Sequence, residues 1–162
     1  MLNATTTARS DAIRHKRDLC RGCRICELVC SATHEGVCSS YLSRIHIDAD
    51  DFTFNYPAVI CRQCKEAACY HVCPLADRAL CIDPQTGARY IDETACDGCG
   101  DCAAACPLPV SPIWSKKAPD GRTVSFKCDL CRRNDEGPQC VLLCPWGALT
   151  YVRRSDARGS AE

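Results

Sequence analysis

Sixteen of the eighteen cysteines in this chain fall into four groups of four. The first reads Cys20-x2-Cys23-x2-Cys26-x3-Cys30, the second Cys61-x2-Cys64-x4-Cys69-x3-Cys73. The third reads Cys96-x2-Cys99-x2-Cys102-x3-Cys106, the fourth Cys128-x2-Cys131-x8-Cys140-x3-Cys144. The last gap is x3 in every group, while the gap before it varies. Pro74, Pro107 and Pro145 follow the fourth cysteine of groups two, three and four. A repeat this regular constrains the fold more than any other feature, because the chain must gather its thiols in sets.

Dense cysteine serves disulfides, zinc or iron–sulfur chemistry. A disulfide scaffold belongs to an oxidising compartment and expects an export signal. The stretch MLNATTTARSDAIRHKRDLC has no apolar h-region and no twin-arginine pair followed by one. No run approaches the roughly 18 apolar residues of a membrane span. The expectation is a cytoplasmic chain without direct membrane insertion, exported only as the passenger of a signal-bearing partner. Structural zinc commonly uses two C-x2-C pairs across a longer spacer, whereas groups one and three place a third cysteine at once. The spacing fits [4Fe–4S] cubanes better. A C-x2-C-x2-C loop wraps a compact inorganic core, and the fourth cysteine lies one helical turn further and points elsewhere. In bacterial two-cluster ferredoxins a C-x2-C-x2-C-x3-C-P run gives its fourth cysteine to the other cluster. Proline at that point bends the chain away.

Composition agrees. With three Phe, two Trp and one Met in 162 residues, the apolar core is thin. Crosslinks or metals then supply stability in small domains, and the protein without its metal is expected to be largely unstructured. The 20 basic and 20 acidic residues cancel, which gives no electrostatic case for nucleic acid.

The four groups, with an x2-x4-x3 second and an x2-x8-x3 fourth, resemble a known family over about residues 18–152. It comprises the four-cluster ferredoxin subunits of dimethyl-sulfoxide-reductase-type molybdoenzymes and formate dehydrogenases, and the electron carriers of hydrogenases and carbon-monoxide dehydrogenases. The resemblance implies an α+β fold of two dicluster ferredoxin-like halves, related by a pseudo-twofold axis and interleaved in sequence. Residues 18–60 plus 120–152 would hold groups one and four, and 61–119 groups two and three, with tails at 1–17 and 153–162. It also implies four [4Fe–4S] clusters. Cys20, Cys23, Cys26 and Cys144 would hold the first. Cys61, Cys64, Cys69 and Cys106 would hold the second, Cys96, Cys99, Cys102 and Cys73 the third. Cys128, Cys131, Cys140 and Cys30 would hold the fourth.

CRGCRICELVCSATHEG with SRIHI at 43–47 further resembles the small polyferredoxin subunits of bacterial tungsten enzymes. Aldehyde oxidoreductase is the nearer of these, with benzoyl-coenzyme-A reductase beside it. The function so implied is non-catalytic electron transfer between a large tungsten- or molybdenum-pterin subunit and a second redox partner. That partner would be a flavin, NAD(P)H-linked subunit or a soluble ferredoxin. The alternatives are the iron–sulfur subunit of a benzoyl-coenzyme-A reductase, hydrogenase, formate or carbon-monoxide dehydrogenase complex, or a free-standing carrier. End-to-end self-association is compatible with a linear wire. No nucleophile with its base and no phosphate loop suggest chemistry on an organic molecule.

Between the groups, residues 43–48, 123–126 and 148–152 read as strands, and 80–83 with 89–92 as a hairpin around DPQTGA. The x3 segments ELV, YHV, AAA and VLL read as helical turns. The tails are expected to be frayed or partner-bound. Arg21, Arg24, Arg62, Lys65, Arg132 and Arg133 stand among the ligands of groups one, two and four, while group three has only Asp97 and Asp101. Each cluster with its thiolates nets about −2, so cations beside one favour its reduced form. The cluster of Cys96, Cys99 and Cys102 is therefore expected to have the lowest potential. Cys38 and Cys81 fit no group, the four histidines show no ligand spacing, and Trp114, after a proline-rich stretch of the kind that forms a surface loop, is a partner-contact candidate with a satellite-core tryptophan as the default reading.

Overall fold

A computed structural model describes residues 10–155. Its frame is four two-stranded antiparallel ladders and four short helices, a small α+β protein. The strands are β1 (Ala12–His15), β2 (Ile45–Ile47), β3 (Ala58–Ile60), β4 (Leu80–Ile82), β5 (Arg89–Ile91), β6 (Ile113–Lys117), β7 (Thr123–Lys127) and β8 (Leu149–Val152). The helices are α1 (Ile25–Glu35), α2 (Ala68–Val72), α3 (Asp101–Ala104) and α4 (Gln139–Leu142).

Each helix begins just before the third cysteine of a group: α1 carries Cys26, α2 Cys69, α3 Cys102 and α4 Cys140. The x3 gap thus spans a helical turn in all four groups. Only α1 continues for 11 residues, carrying Cys30 within it before Gly36 ends the helix in the left-handed region.

The β4–β5 hairpin forms as expected, with Leu80 opposite Ile91 and Ile82 opposite Arg89. The sequence of its turn explains its closure. Asp83 Oδ1 accepts hydrogen bonds from the Gln85 and Thr86 backbone N–H groups at 3.1 and 2.8 Å, which pins DPQT in a turn. Residues 12–15, within the expected N-terminal tail, instead form β1 against β8, with Ala12 and Ile13 buried. Asp11 secures this end: its carboxylate accepts from Tyr151 Oη at 2.5 Å and from the Arg154 backbone N–H at 2.8 Å. The rest of the two expected tails, 1–9 and 156–162, lies outside the described residues.

The stretch around Trp114 is also a strand and not a surface loop. β6 pairs with β7 through a tight turn at 118–122, and the expected boundary at 119–120 falls inside it. Half-buried Trp114 lies against His46, with ring centroids 4.3 Å apart, and against Phe126 at 6.3 Å. It is a half-buried aromatic packed between two other rings.

Apolar burial is uneven. One core gathers Ile13, Ile45, Ile47, Tyr56, Ile60, Leu130 and Leu149 around Cys26, Cys30, Cys61, Cys128 and Cys140. Here α1 packs on α4 and β2. Elsewhere α2 packs on α3, and burial shrinks to two small clusters: Ala79, Cys96 and Val124, and Leu80, Cys102 and Ile113. A partly buried ionic lattice ties distant segments together. Arg44 pairs with Glu93 at 2.9 Å and Asp129 at 3.4 Å, and Lys116 with Glu35 at 2.6 Å and Glu93 at 2.8 Å.

Candidate metal centres

The four C-x-x-C loops share one backbone device. The residue just before the second cysteine is left-handed in every group: Gly22 at φ 66°, Gln63 at 51°, Gly98 at 70° and Leu130 at 62°. That reversal curls the loop so that both thiols face one point. Glycine adopts it freely, whereas Gln63 and Leu130 carry a strain of about 1 kcal/mol. Gln63 offsets it with hydrogen bonds. Its Oε1 accepts from Arg89 N–H at 2.7 Å, and its Nε2 donates to Cys128 O at 3.0 Å.

Three of the expected ligand sets each line one small cavity. Cys20, Cys23, Cys26 and Cys144 line one of about 20 Å³, with Trp146 beside them. Cys61, Cys64, Cys69 and Cys106 line a second, of about 30 Å³, with Arg89 and Lys127 in its wall. Cys73, Cys96, Cys99 and Cys102 line a third, of about 10 Å³, with Asp97. Cys30, Cys131 and Cys140 are mutual electrostatic neighbours, and Cys128 is a neighbour of Cys140. In each case the fold brings in a cysteine from a different group. Cys38 is exposed, and Cys81 lies in β4 with its thiol donating to Arg78 O at 3.4 Å.

The groups also follow one another in space. Cys26, Cys61, Cys128 and Cys140 meet in one buried cluster and Cys69, Cys73 and Cys102 in another, with Cys26 acting electrostatically on Cys140, Cys61 on Cys128 and Cys102 on Cys69. This orders the four sets in a line from exposed Cys23 to exposed Cys99, with mostly buried thiols between.

The electrostatics suit thiolates around a cationic guest. Burial pushes the Cys26 thiol up to about 12, with Glu27, Cys20 and Cys23 adding to it. Burial likewise lifts Cys69 and Cys131 to about 11. Backbone N–H groups already aim at sulfur: Arg44 N–H donates to Cys30 Sγ at 3.3 Å, and Gly98 and Ser125 N–H to Cys96 Sγ at 3.4 Å. Sulfur donors in fours, repelling one another when ionised, are a donor set for an iron–sulfur core.

The buried cations lie outside the cysteine loops, where sequence reasoning missed them. Lys127 and Arg89 are each 1% exposed. Burial alone would lower the Lys127 ammonium, but the thiolates of Cys61, Cys69 and Cys128 prevail and hold it above its ordinary value. Arg89 is lowered by burial, against the pull of Cys69, Cys61 and Cys64. By contrast Arg21, Arg24, Arg62, Lys65 and Arg133 are solvated. Arg132 is half-buried and stacks on the Tyr90 ring at 3.6 Å. His34 was also missed: its Nε2 lies 3.3 Å from Asp129 and 3.6 Å from Cys131 Sγ. No spacing reveals that contact, because 97 residues separate His34 from Cys131. Alternating Lys127 within TVSFK and its place next to Cys128 were the only available signals for the lysine.

The fold and these cysteine sets define a ferredoxin-type iron–sulfur protein. A family model described as a 4Fe-4S dicluster domain matches residues 52–154, and this protein belongs to that family. The polyferredoxin-like subunit of aliphatic sulfonate oxidoreductase from Pyrococcus furiosus is 39% identical over 127 residues, covering 78% of this chain and 67% of that one. The Escherichia coli electron transport protein HydN is 32% identical over 153 residues, covering 84% of each. The B component of polysulfide reductase from Wolinella succinogenes is 31% identical over 157 residues, covering 89% of this chain and 76% of its own length. The protein is thus a [4Fe–4S] electron-transfer subunit. Among the described residues, no helix is long and apolar enough to cross a membrane.

Proposed function

We propose that this chain is a non-catalytic relay with four [4Fe–4S] clusters, held by the four cysteine sets above. It would carry electrons in the cytoplasm between a tungsten- or molybdenum-pterin catalytic subunit and a second redox partner, with a flavin subunit or soluble ferredoxin in that role. The observation that carries the reading is the line of cysteine sets with an exposed cysteine at each end. When bound, the clusters supply one-electron sites. The protein's residues position them, exclude water from the inner pair and donate N–H groups to their sulfurs. The packing of α1 on α4 and of α2 on α3 supports two dicluster halves, 18–60 plus 120–152 and 61–119, related by a pseudo-twofold axis. The choice of an aldehyde-oxidoreductase-like partner rests on CRGCRICELVCSATHEG, and a relative named as a polyferredoxin-like oxidoreductase subunit supports a complex.

Anaerobic purification followed by iron and labile-sulfide analysis tests the cofactor count. About 16 of each per chain is expected, and zinc, or half that iron, overturns it. Co-purification of a large pterin-containing subunit is expected from the native organism. Isolation as a lone monomer overturns the fixed complex in favour of a free-standing carrier.

A further inference from the structure

The three cysteine cavities and the fourth set differ sharply in the charge placed against them. Lys127 lies in the wall of the cavity of Cys61, Cys64, Cys69 and Cys106. Its ammonium is anchored by two backbone carbonyls, Arg89 O and, at 3.3 Å, Cys128 O. An ammonium has three donors, so one N–H remains after these two bonds. Cys61, Cys64, Cys69 and Cys106 line the same cavity as this side chain, and Cys128 is its neighbour in the chain. No carboxylate lines this cavity, and Lys127 forms no ion pair among the described residues.

The other sets lack such a charge. The cavity of Cys20, Cys23, Cys26 and Cys144 has Arg24, which is exposed and therefore screened. That of Cys73, Cys96, Cys99 and Cys102 has Asp97 and no cation. Beside Cys30 and Cys131 the buried Arg44 is matched by Glu35, Glu93 and Asp129. A buried, unmatched charge acts through a low dielectric and outweighs exposed charges at similar distance.

We infer that Lys127 makes the cluster held by Cys61, Cys64, Cys69 and Cys106 the most readily reduced of the four, so that the first electron to enter the protein rests there. The inference rests on the four-cluster reading. One electron from the redox partner takes that site from about −2 to about −3, with no bond made or broken. The adjacent ammonium favours the more negative state. Because Cys61 shares a buried cluster with Cys128 and Cys140, and Cys69 packs against Cys102, this site is interior to the line, and electrons crossing the protein would pass through it. The potential profile therefore dips inside the wire and not at either end.

The test uses the anaerobically purified full chain, with dithionite as reductant and each midpoint read by electron paramagnetic resonance. Iron near 16 per chain is checked first, so failure of the four-cluster reading shows before any titration. In Lys127→Met the highest midpoint is expected to fall by the equivalent of at least tenfold in the reduction equilibrium, ~59 mV for one electron. Lys127→Arg keeps the charge and is expected to keep most of the wild-type value. An unchanged highest midpoint in Lys127→Met, or an equal fall in all four, overturns the inference. A measurement on unmutated Lys127 covers the case in which the variants lose iron. Protein labelled with 15N at the lysine side chain, carrying Lys65→Arg to remove the exposed lysine of the same loop, is poised with one electron per chain. A 15N hyperfine coupling to the reduced cluster is expected, and its absence overturns the inference with the cluster count intact.

Discussion

The α1–α4 side and the α2–α3 side carry equal numbers of grouped cysteines and use the same loop reversal, yet they are held together differently. On the α1–α4 side an 11-residue helix and a continuous aliphatic core surround the thiols. On the α2–α3 side the helices have five and four residues, and the buried clusters hold three side chains apiece. Loop curvature is common property of the four groups, but apolar packing is not. Folding of the α2–α3 side therefore depends more on its inorganic crosslinks.

Stepwise iron removal should expose that difference, and it carries the largest effect expected. Complete chelation should abolish cooperative structure. At partial depletion, hydrogen exchange at the amides of α2, α3, β4 and β5 should quicken by about 100-fold or more, while β2 and β3 stay protected. Uniform loss of protection across both sides would show that the aliphatic core contributes no independent stability.

Two glycines show the same contrast at single positions. Gly22 and Gly98 stand at the same place in groups one and three, and both are left-handed. A Cβ on Gly22 would lie 2.6 Å from Tyr56 Cε1, part of a side chain. A Cβ on Gly98 would meet the Thr123 carbonyl oxygen and lie 2.8 Å from its carbon, which is backbone of β7. Each alanine bears a left-handed penalty of about 1 kcal/mol, but on Gly22 one buried side chain, Tyr56, must repack, whereas on Gly98 the backbone of β7 must shift. Gly98→Ala should therefore lose iron from the group-three site during purification, while Gly22→Ala should retain its full complement with a lower melting temperature. Equal iron loss in the two variants would mean that Tyr56 is as immovable as the strand.

The sequence makes the cysteine loops legible because their geometry is local. Spacing places Cys26, Cys69, Cys102 and Cys140 at helix starts, and Asp83 with Gly87 announces the β4–β5 turn. Strands whose partners lie far along the chain were harder to see. Residues 12–15 are short and flanked by charge, and only β8, more than 130 residues away, gives them a place. The stretch around Trp114 was obscured for a different reason: the prolines before it suggest a loop, but local pairing with β7 overrides them. Lys127 and Arg89 look like ordinary strand cations until β5 and β7 carry them to the cavity of Cys61. Local charge counting consequently assigned the basic side chains within the loops a closeness to sulfur that mainly these two have.

The smallest effect expected concerns the acidic end of the line. Cys99 is exposed there, and Asp97 Oδ1 accepts a hydrogen bond from its backbone N–H at 3.2 Å. The Asp101 backbone N–H pulls the Cys99 thiol down, yet burial and the Asp97 and Asp101 carboxylates together raise it. The nearby Arg122 is engaged with Asp120 at 2.7 Å and with Cys96 O, so its charge is partly spoken for. Asp97→Asn keeps an acceptor for the Cys99 N–H while removing the charge. It should raise the potential of the cluster proposed for Cys73, Cys96, Cys99 and Cys102 by ~30 mV, about a threefold change in a one-electron equilibrium. Solvent screening keeps the shift below that expected for buried Lys127. Added salt should erode the difference between wild type and Asp97→Asn and leave the Lys127→Met difference nearly intact, because only the exposed charge is open to ions. Equal salt sensitivity of the two shifts would place both charges in the same dielectric surroundings and remove the contrast between the inner and outer sites.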